Sequence, residues 1–208
     1  MIAIDGPASV GKSTLAKKIS IKYKSPVLFS GKLYRAVALE VIKKKIQIND
    51  IKKIISSASN IDLDRLSSKE MYSSNVDNIA SIISSKEELR KELIKIQQDF
   101  PKKFAKNKKF AIIEGRDIGT VIFPDANHKI FLWAKSSIRA RRRCDQIIKN
   151  GKKANYNKIY SEINKRDSKD ITRKIAPLKP AENSVLLDTS YLDIEQSFNA
   201  VIKILGRY

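Results

Sequence analysis

A chain of 208 residues, 42% hydrophobic and 31% charged, is long enough for one well-buried domain, and no apolar run approaches the length of a membrane span. Its single cysteine, Cys144, excludes an intramolecular disulfide framework, and its single histidine, His128, excludes catalysis built on several histidines. The net charge of +20 suits polyphosphate ligands, but 31 of the 42 basic residues are lysines spread along the chain, with no RNP, KH or zinc-finger pattern beside them.

The N-terminal "MIAIDG" enters a strand-like segment at once, without a basic n-region or long apolar h-region, so no signal peptide is expected and the compartment is read as cytoplasmic. The strand "IAID" (2–5) runs into a Gly-rich turn and a helix from about Lys12 to Tyr23. "PVLF" (26–29) leads into a helix beginning near Gly31, and "FAIIE" (110–114) and "KIFLWA" (129–134) are the next strands. "SVLLD" (184–188) is the last strand, before a closing helix with Ile194, Phe198, Val201, Ile202 and Leu205. Strands alternating with helices predict an α/β fold with a parallel sheet. Phe131 and Trp133 are expected to pack in its core. About eighty residues between the second and third strands carry helical patterns only, too many for an ordinary crossover, so a small helical insertion is predicted. Asn49 and Ser85 are its expected N-caps.

"GPASVGKST" (6–14) matches G-x-x-x-x-G-K-[ST] and stands between a strand and a helix, where the mechanism of a phosphate loop requires it. Its glycines let the backbone wrap an anion, Lys12 would reach the β- and γ-phosphates, and the Ser13 hydroxyl would ligate Mg²⁺. "NKKF" (107–110) fails the guanine signature N-K-x-D, which favours a small kinase over a GTPase.

Before the last strand, Tyr156, Ile159, Tyr160 and Ile163 form one helical face, which Arg166, Asp167 and Asp170 continue. An apolar face that ends in charge either runs out into solvent or is built to hold an anion.

"IDGPASVGKST", "SGKLYRAVAL", "EGRDIGTVIFPDA", "RDSKDITRKIAPL" and "LLDTS" occur in the order found in bacterial cytidylate kinases, and the resemblance covers essentially the whole chain. It implies a P-loop kinase fold: a five-stranded parallel sheet flanked by helices, as a single domain over 1–208 with a mostly helical NMP-binding insertion at about 31–108 and a short lid at about 152–176. It implies transfer of a phosphoryl group from ATP to CMP or dCMP with Mg²⁺, in a monomer that requires neither nucleic acid nor membrane.

Carried over position by position, the CMP side would use Ser30, Arg35, Ser81, Arg90, Arg116 and Asp117, completed by Arg166, Asp170 and Arg173 from the lid. Hydroxyls, a carboxylate and a guanidinium suit the edge of cytosine, and arginine forks suit its phosphate. If the helix persists to Arg173, the three lid residues share a face. ATP would lie on Gly6, Pro7, Ala8, Ser9, Val10, Gly11, Lys12, Ser13 and Thr14, with Arg139 and Arg143 reaching its phosphates; Arg141 and Arg142 are read as a solvated basic face. The catalytic set is Lys12, Arg116, Arg166 and Arg173. Glu114 or Asp5 either holds Mg²⁺ through water or caps local backbone N–H groups.

Two departures stand out. "FSGKLYR" replaces the family's D-[ST]-G-A-x-Y-R, so Phe29 stands for an aspartate and Lys32 for a small residue. The segment 62–74 is shorter than the small sheet the family usually inserts there, which could relax base selectivity. A UMP/CMP or broader nucleoside monophosphate kinase is the nearest alternative, and a basic nucleic-acid-binding protein with a vestigial nucleotide site the more distant one.

Overall fold

The computed structural model describes residues 1–59, 61, 69–107 and 110–206, and most of the trimmed segment 62–74 lies outside them. The chain divides into two units, Met1–Val27 with Phe104–Tyr208, and Leu28–Lys103.

The sheet is formed by β1 (Ile2–Asp5), β2 (Val27–Phe29), β3 (Ile112–Glu114), β4 (His128–Trp133) and β5 (Val185–Asp188), in the order β2-β3-β1-β4-β5, and β1, β3, β4 and β5 lie in the first unit. β1 pairs in parallel with β3 and β4, and β4 with β5. All four residues of β1 and all three of β3 are buried, as expected of strands covered on both faces. Ile2, Ile4, Ile112, Ile113, Ile130 and Leu132 form the middle of this core. Phe131 is buried as expected, but Trp133 is 41% exposed, because β4 ends there and its ring lies beside the Arg139 guanidinium.

Helix α1 (Lys12–Tyr23) packs on β1 and β3 and against α8 (Ile194–Leu205), whose start is fixed by a reciprocal capping box between Asp193 and Gln196. α6 (Ser136–Lys149) and α7 (Tyr156–Thr172) pack on each other through Ala140, Cys144, Ile159 and Ile163. The buried face of α7 is Ile159, Ile163, Asp167 and Asp170, while Tyr156 and Tyr160 stack on each other near solvent. The aromatic positions expected in that stripe therefore lie beside it, and two carboxylates lie within it.

The second unit is helical. α2 (Ser30–Lys43) packs on α3 (Ile51–Ser59) and α4 (Ser74–Ile83), and α3 packs on α5 (Glu87–Asp99). Leu33, Val37, Ile54, Ile83, Leu89 and Leu93 are fully buried, each stabilising the unit by about 1.5–3 kcal/mol. Two expected caps are replaced. The Asp50 carboxylate, not Asn49, accepts the Lys53 N–H, and Ser85 donates to the Ile82 carbonyl while Lys86 is the N-cap of α5. At α3 the neighbouring carboxylate takes the place of the expected cap, whereas at α5 the N-cap Lys86 makes no side-chain cap hydrogen bond.

Candidate active site

The turn from β1 into α1 holds the phosphate-loop sequence. Gly6 sits at φ +149°, and a Cβ there would come within 2.3 Å of the Leu132 carbonyl oxygen, so only glycine lets the loop pass so close to β4. Gly11, at φ +103°, is the N-cap of α1, and no side chain caps that helix, which leaves its first-turn N–H groups to the loop. Lys12 is buried, and its Nζ donates to the Pro7 carbonyl at 2.7 Å.

Burial lowers the Lys12 pKa to about 7, helped by the guanidiniums of Arg116 and Arg166 and opposed by the carboxylates of Glu114 and Asp5. Three cations from β1–α1, the turn after β3 and α7 thus converge on one loop. An anion at the loop would offset the repulsion among these cations.

The Ser13 hydroxyl donates to Glu114 Oε1 at 3.2 Å, which brings together two hard oxygen donors of the kind Mg²⁺ takes alongside water and phosphate oxygens. Asp5 does other work. Its two oxygens accept the N–H groups of Ile118 (2.9 Å) and Gly119 (2.7 Å), capping the π-helical turn Ile118–Ile122 that follows Asp117. Of the two readings left open for Asp5, the structure gives the cap.

Beyond β3, Arg116 and Asp117 are each gripped from α7 or its end. Arg116 Nε donates to Asp170 Oδ2 at 2.9 Å, and Arg173 Nη2 lies 3.4 Å from Asp117 Oδ1 and Nη1 3.9 Å from Asp170 Oδ1. The helix stops at Thr172. Arg173 is extended, with its Nε donating to the Ala176 carbonyl at 2.6 Å. The expectation of one helical face through Arg173 therefore fails, yet Arg173 still meets Asp170 because the chain folds back, with the Leu178 N–H donating to the Asp170 carbonyl.

Two arginines of α6, Arg139 and Arg142, differ from expectation. Arg139 is 1% exposed and donates to the carbonyls of Ala134 (2.8 Å) and Ala8 (2.9 Å), so its guanidinium holds the loop's main chain and is not offered to a phosphate. Arg143 is exposed and donates to Gln146. Arg141 is exposed, but Arg142 is half-buried and donates to the carbonyls of Thr189 (2.5 Å) and Leu192 (2.9 Å), tying down the loop after β5.

Within the helical unit, Arg35 Nε donates to Asp77 Oδ1 at 2.7 Å, and its guanidinium lies 5.5 Å from the centre of the Tyr72 ring. Arg90 is 2% exposed and donates to Tyr34 Oη and the Ser84 carbonyl, both at 3.3 Å. Ser30 is buried and Ser81 half-buried, on α2 and α4. Lys32 lies over the Phe29 ring at 4.8 Å, so the two departures at the start of α2 contact each other.

Asp77 and Asp167 belong to these networks and were not singled out as site residues by sequence. For Asp167 a signal existed: it follows Ile163 by four residues on an otherwise apolar face, where a carboxylate requires a partner.

A family model described as Cytidylate kinase matches residues 2–207. A cytidylate kinase of Bartonella tribocorum is 42% identical over 95% of this chain and 90% of its own length, and one of Bartonella quintana is 40% identical over 99% and 94%. Among solved structures, an unliganded sugar kinase from Janibacter sp. HTCC2649 shares the fold, with a TM-score of 0.52 at 12% identity over 99% of this chain and 93% of that one. The phosphate loop, its converging cations and this whole-length similarity lead to one conclusion: the chain belongs to the cytidylate kinase family.

Proposed function

We propose that the protein transfers the γ-phosphoryl group of ATP to CMP or dCMP, giving ADP and CDP or dCDP. A phosphate oxygen of the acceptor forms the new bond to the γ-phosphorus, and the bond to the β–γ bridging oxygen breaks, leaving with ADP. No general base is needed, because that oxygen is ionised at neutral pH; positioning and charge stabilisation are sufficient.

The observation that carries the reading is the phosphate-loop turn from β1 into α1, with Lys12 buried in it and donating to the Pro7 carbonyl, and with no side chain capping the helix it opens. Lys12 bridges the β- and γ-phosphates, Arg116 grips the acceptor phosphate, and Arg166 and Arg173 neutralise the phosphoryl group in transfer. Asp170 aims Arg116 and Arg173. Ser30, Arg35, Ser81, Arg90 and Asp117 bind CMP, with Arg35 on its phosphate and Ser81, Arg90 and Asp117 on the base. Residues at about 31–108 serve as the NMP-binding insertion and those at about 152–176 as the lid, which excludes water. Mg²⁺ would be held by Ser13 directly and by Glu114 through water, and would supply compensation of the phosphate charge.

The reading is of a monomer that requires neither nucleic acid nor a membrane. One cysteine in 208 residues suits a reducing cytoplasm. Among the described residues no helix is long and apolar enough to cross a membrane.

The test is ADP release from Mg-ATP with CMP, dCMP, UMP and AMP as acceptors, beside Arg173→Ala. Turnover is expected to be strongest with CMP and dCMP and to fall by two orders of magnitude or more in the variant, roughly the effect of losing one transition-state charge contact. Equal rates with UMP would give the broader monophosphate kinase, and no turnover with any acceptor would overturn the proposal.

A further inference from the structure

The phosphate loop is held from outside at one residue, by two charges that the reaction itself does not use. Ala8 donates its N–H to Asp167 Oδ1 at 3.1 Å, and its carbonyl accepts from Arg139 Nη1 at 2.9 Å. The same Nη1 lies 2.6 Å from Asp167 Oδ2, and Arg139 Nε is anchored on the Ala134 carbonyl at the end of β4. Arg139 is 1% and Asp167 8% exposed. We infer that Arg139 and Asp167 are positioning residues: a buried clamp that fixes the Ala8 peptides, and with them the loop's phosphate-facing shape, to α6 and α7.

Three features separate this from ordinary packing. A buried ion pair is weak evidence for stability, because hydrophobic residues of similar volume often do as well. Hydrogen bonds to both polar groups of one loop residue, by contrast, define an orientation that apolar packing cannot. The clamp also sits where a carboxylate should be unwelcome. Asp167 is bonded to the loop that receives the most highly charged part of ATP, so its charge is tolerable only while Arg139 neutralises it. Finally, Asp167 directly follows Arg166 on α7, so the helix that presents the lid arginine is bonded through the next residue to the loop that presents Lys12. Loop and lid helix are thereby set in register.

Since the clamp carries both a shape and a charge balance, its two residues should not be equivalent. Removing Arg139 leaves an uncompensated carboxylate beside the ATP phosphates; removing Asp167 leaves a cation, which they tolerate. The inference rests on the reading that this loop binds ATP, and the experiment keeps the two apart. KM for Mg-ATP, KM for CMP and kcat would be measured for the wild type, Arg139→Met, Asp167→Asn, the double variant, and Ile163→Ala as a control buried in the apolar α6–α7 core, each checked by thermal melting.

Arg139→Met should raise KM for ATP at least tenfold with KM for CMP within twofold of wild type. Asp167→Asn should raise it only about threefold, and the double variant should bind ATP better than Arg139→Met alone. Ile163→Ala should show no selective rise in KM for ATP. Should Arg139→Met fail to fold, Arg139→Lys, which keeps the charge and loses the fork, decides in its place, with a several-fold rise in KM for ATP expected. Folded clamp variants with unchanged KM for ATP, equal rises for both nucleotides, or a double variant worse than Arg139→Met would each overturn the clamp. A wild type that turns over no acceptor would overturn the kinase reading instead.

Discussion

Replacing Gly6 with alanine separates two reasons for a glycine, because Gly11 supplies the control. Both sit at positive φ, +149° and +103°, so both variants incur backbone strain of about 1–3 kcal/mol. The Gly6 Cβ would also lie 2.3 Å from the Leu132 carbonyl oxygen, a backbone atom of a central strand, whereas nothing lies within 4 Å at Gly11. Relieving that overlap means moving the loop off β4, which adds about 1–3 kcal/mol, as overpacking does elsewhere. Gly6→Ala should therefore destabilise by about 2–6 kcal/mol, a melting temperature lower by roughly 10 °C, and Gly11→Ala by only about 1–3 kcal/mol. Urea unfolding of both variants, compared at equal slope, measures the difference. Equal losses would refute the close approach to β4 as the reason for Gly6.

Asp77→Asn should free Arg35 for the CMP phosphate and lower KM for CMP about threefold with kcat unchanged, since a partly exposed pair is worth under about 1 kcal/mol; steady-state kinetics reads this directly. Asp170→Asn leaves Arg116 and Arg173 without their shared carboxylate, so a stability loss of about 3–5 kcal/mol is expected by urea unfolding. Burial raises the Asp5 pKa from 3.8 to about 6, so the folded protein binds more protons than the unfolded chain between those values. The Asp5 contribution is then fully present below pH 4 and declines as pH rises through 6, by up to about 3 kcal/mol. Asp5→Asn should remove that part of the pH dependence of the urea midpoint, and an unchanged profile would count against the shift.

The parts of the fold legible in sequence were those written in short-range pattern. Apolar runs such as "IAID" placed β1 to the residue, and the spacing of Gly6, Gly11 and Lys12 located the loop, because strand burial and anion wrapping each impose a local signature. β3 was read two residues too long, since "FAIIE" is apolar beyond the ladder that β1 offers it. The expected caps Asn49 and Ser85 failed because composition does not specify turn geometry: at α3 the adjacent Asp50 reaches the helix N–H instead, and at α5 Ser85 turns back to the Ile82 carbonyl and no side chain caps the helix.

The electrostatic pairings of the site were not legible, and α7 shows why. Its sequence gives the spacing of Asp167 and Asp170 but not their partners, which come from 28 and 54 positions away, at Arg139 and Arg116, on a different helix and a different strand end. A carboxylate on an apolar helical face implies only that some cation must meet it; the sheet order β2-β3-β1-β4-β5 decides which. β1 lies between β3 and β4, so the loop after β1 emerges between the segments that follow those two strands. One of these carries Arg116 and Asp117, the other leads into α6 with Arg139. A single helix laid across that edge can therefore meet both arginines with carboxylates one turn apart. On the proposed function Asp167 and Asp170 would divide the work, one holding the phosphate loop and the other aiming Arg116 at the acceptor phosphate. Exchanging their effects by mutation should fail: Asp167→Asn should act on KM for ATP and Asp170→Asn on KM for CMP, and a single shared phenotype would show that α7 braces the site only as one rigid body.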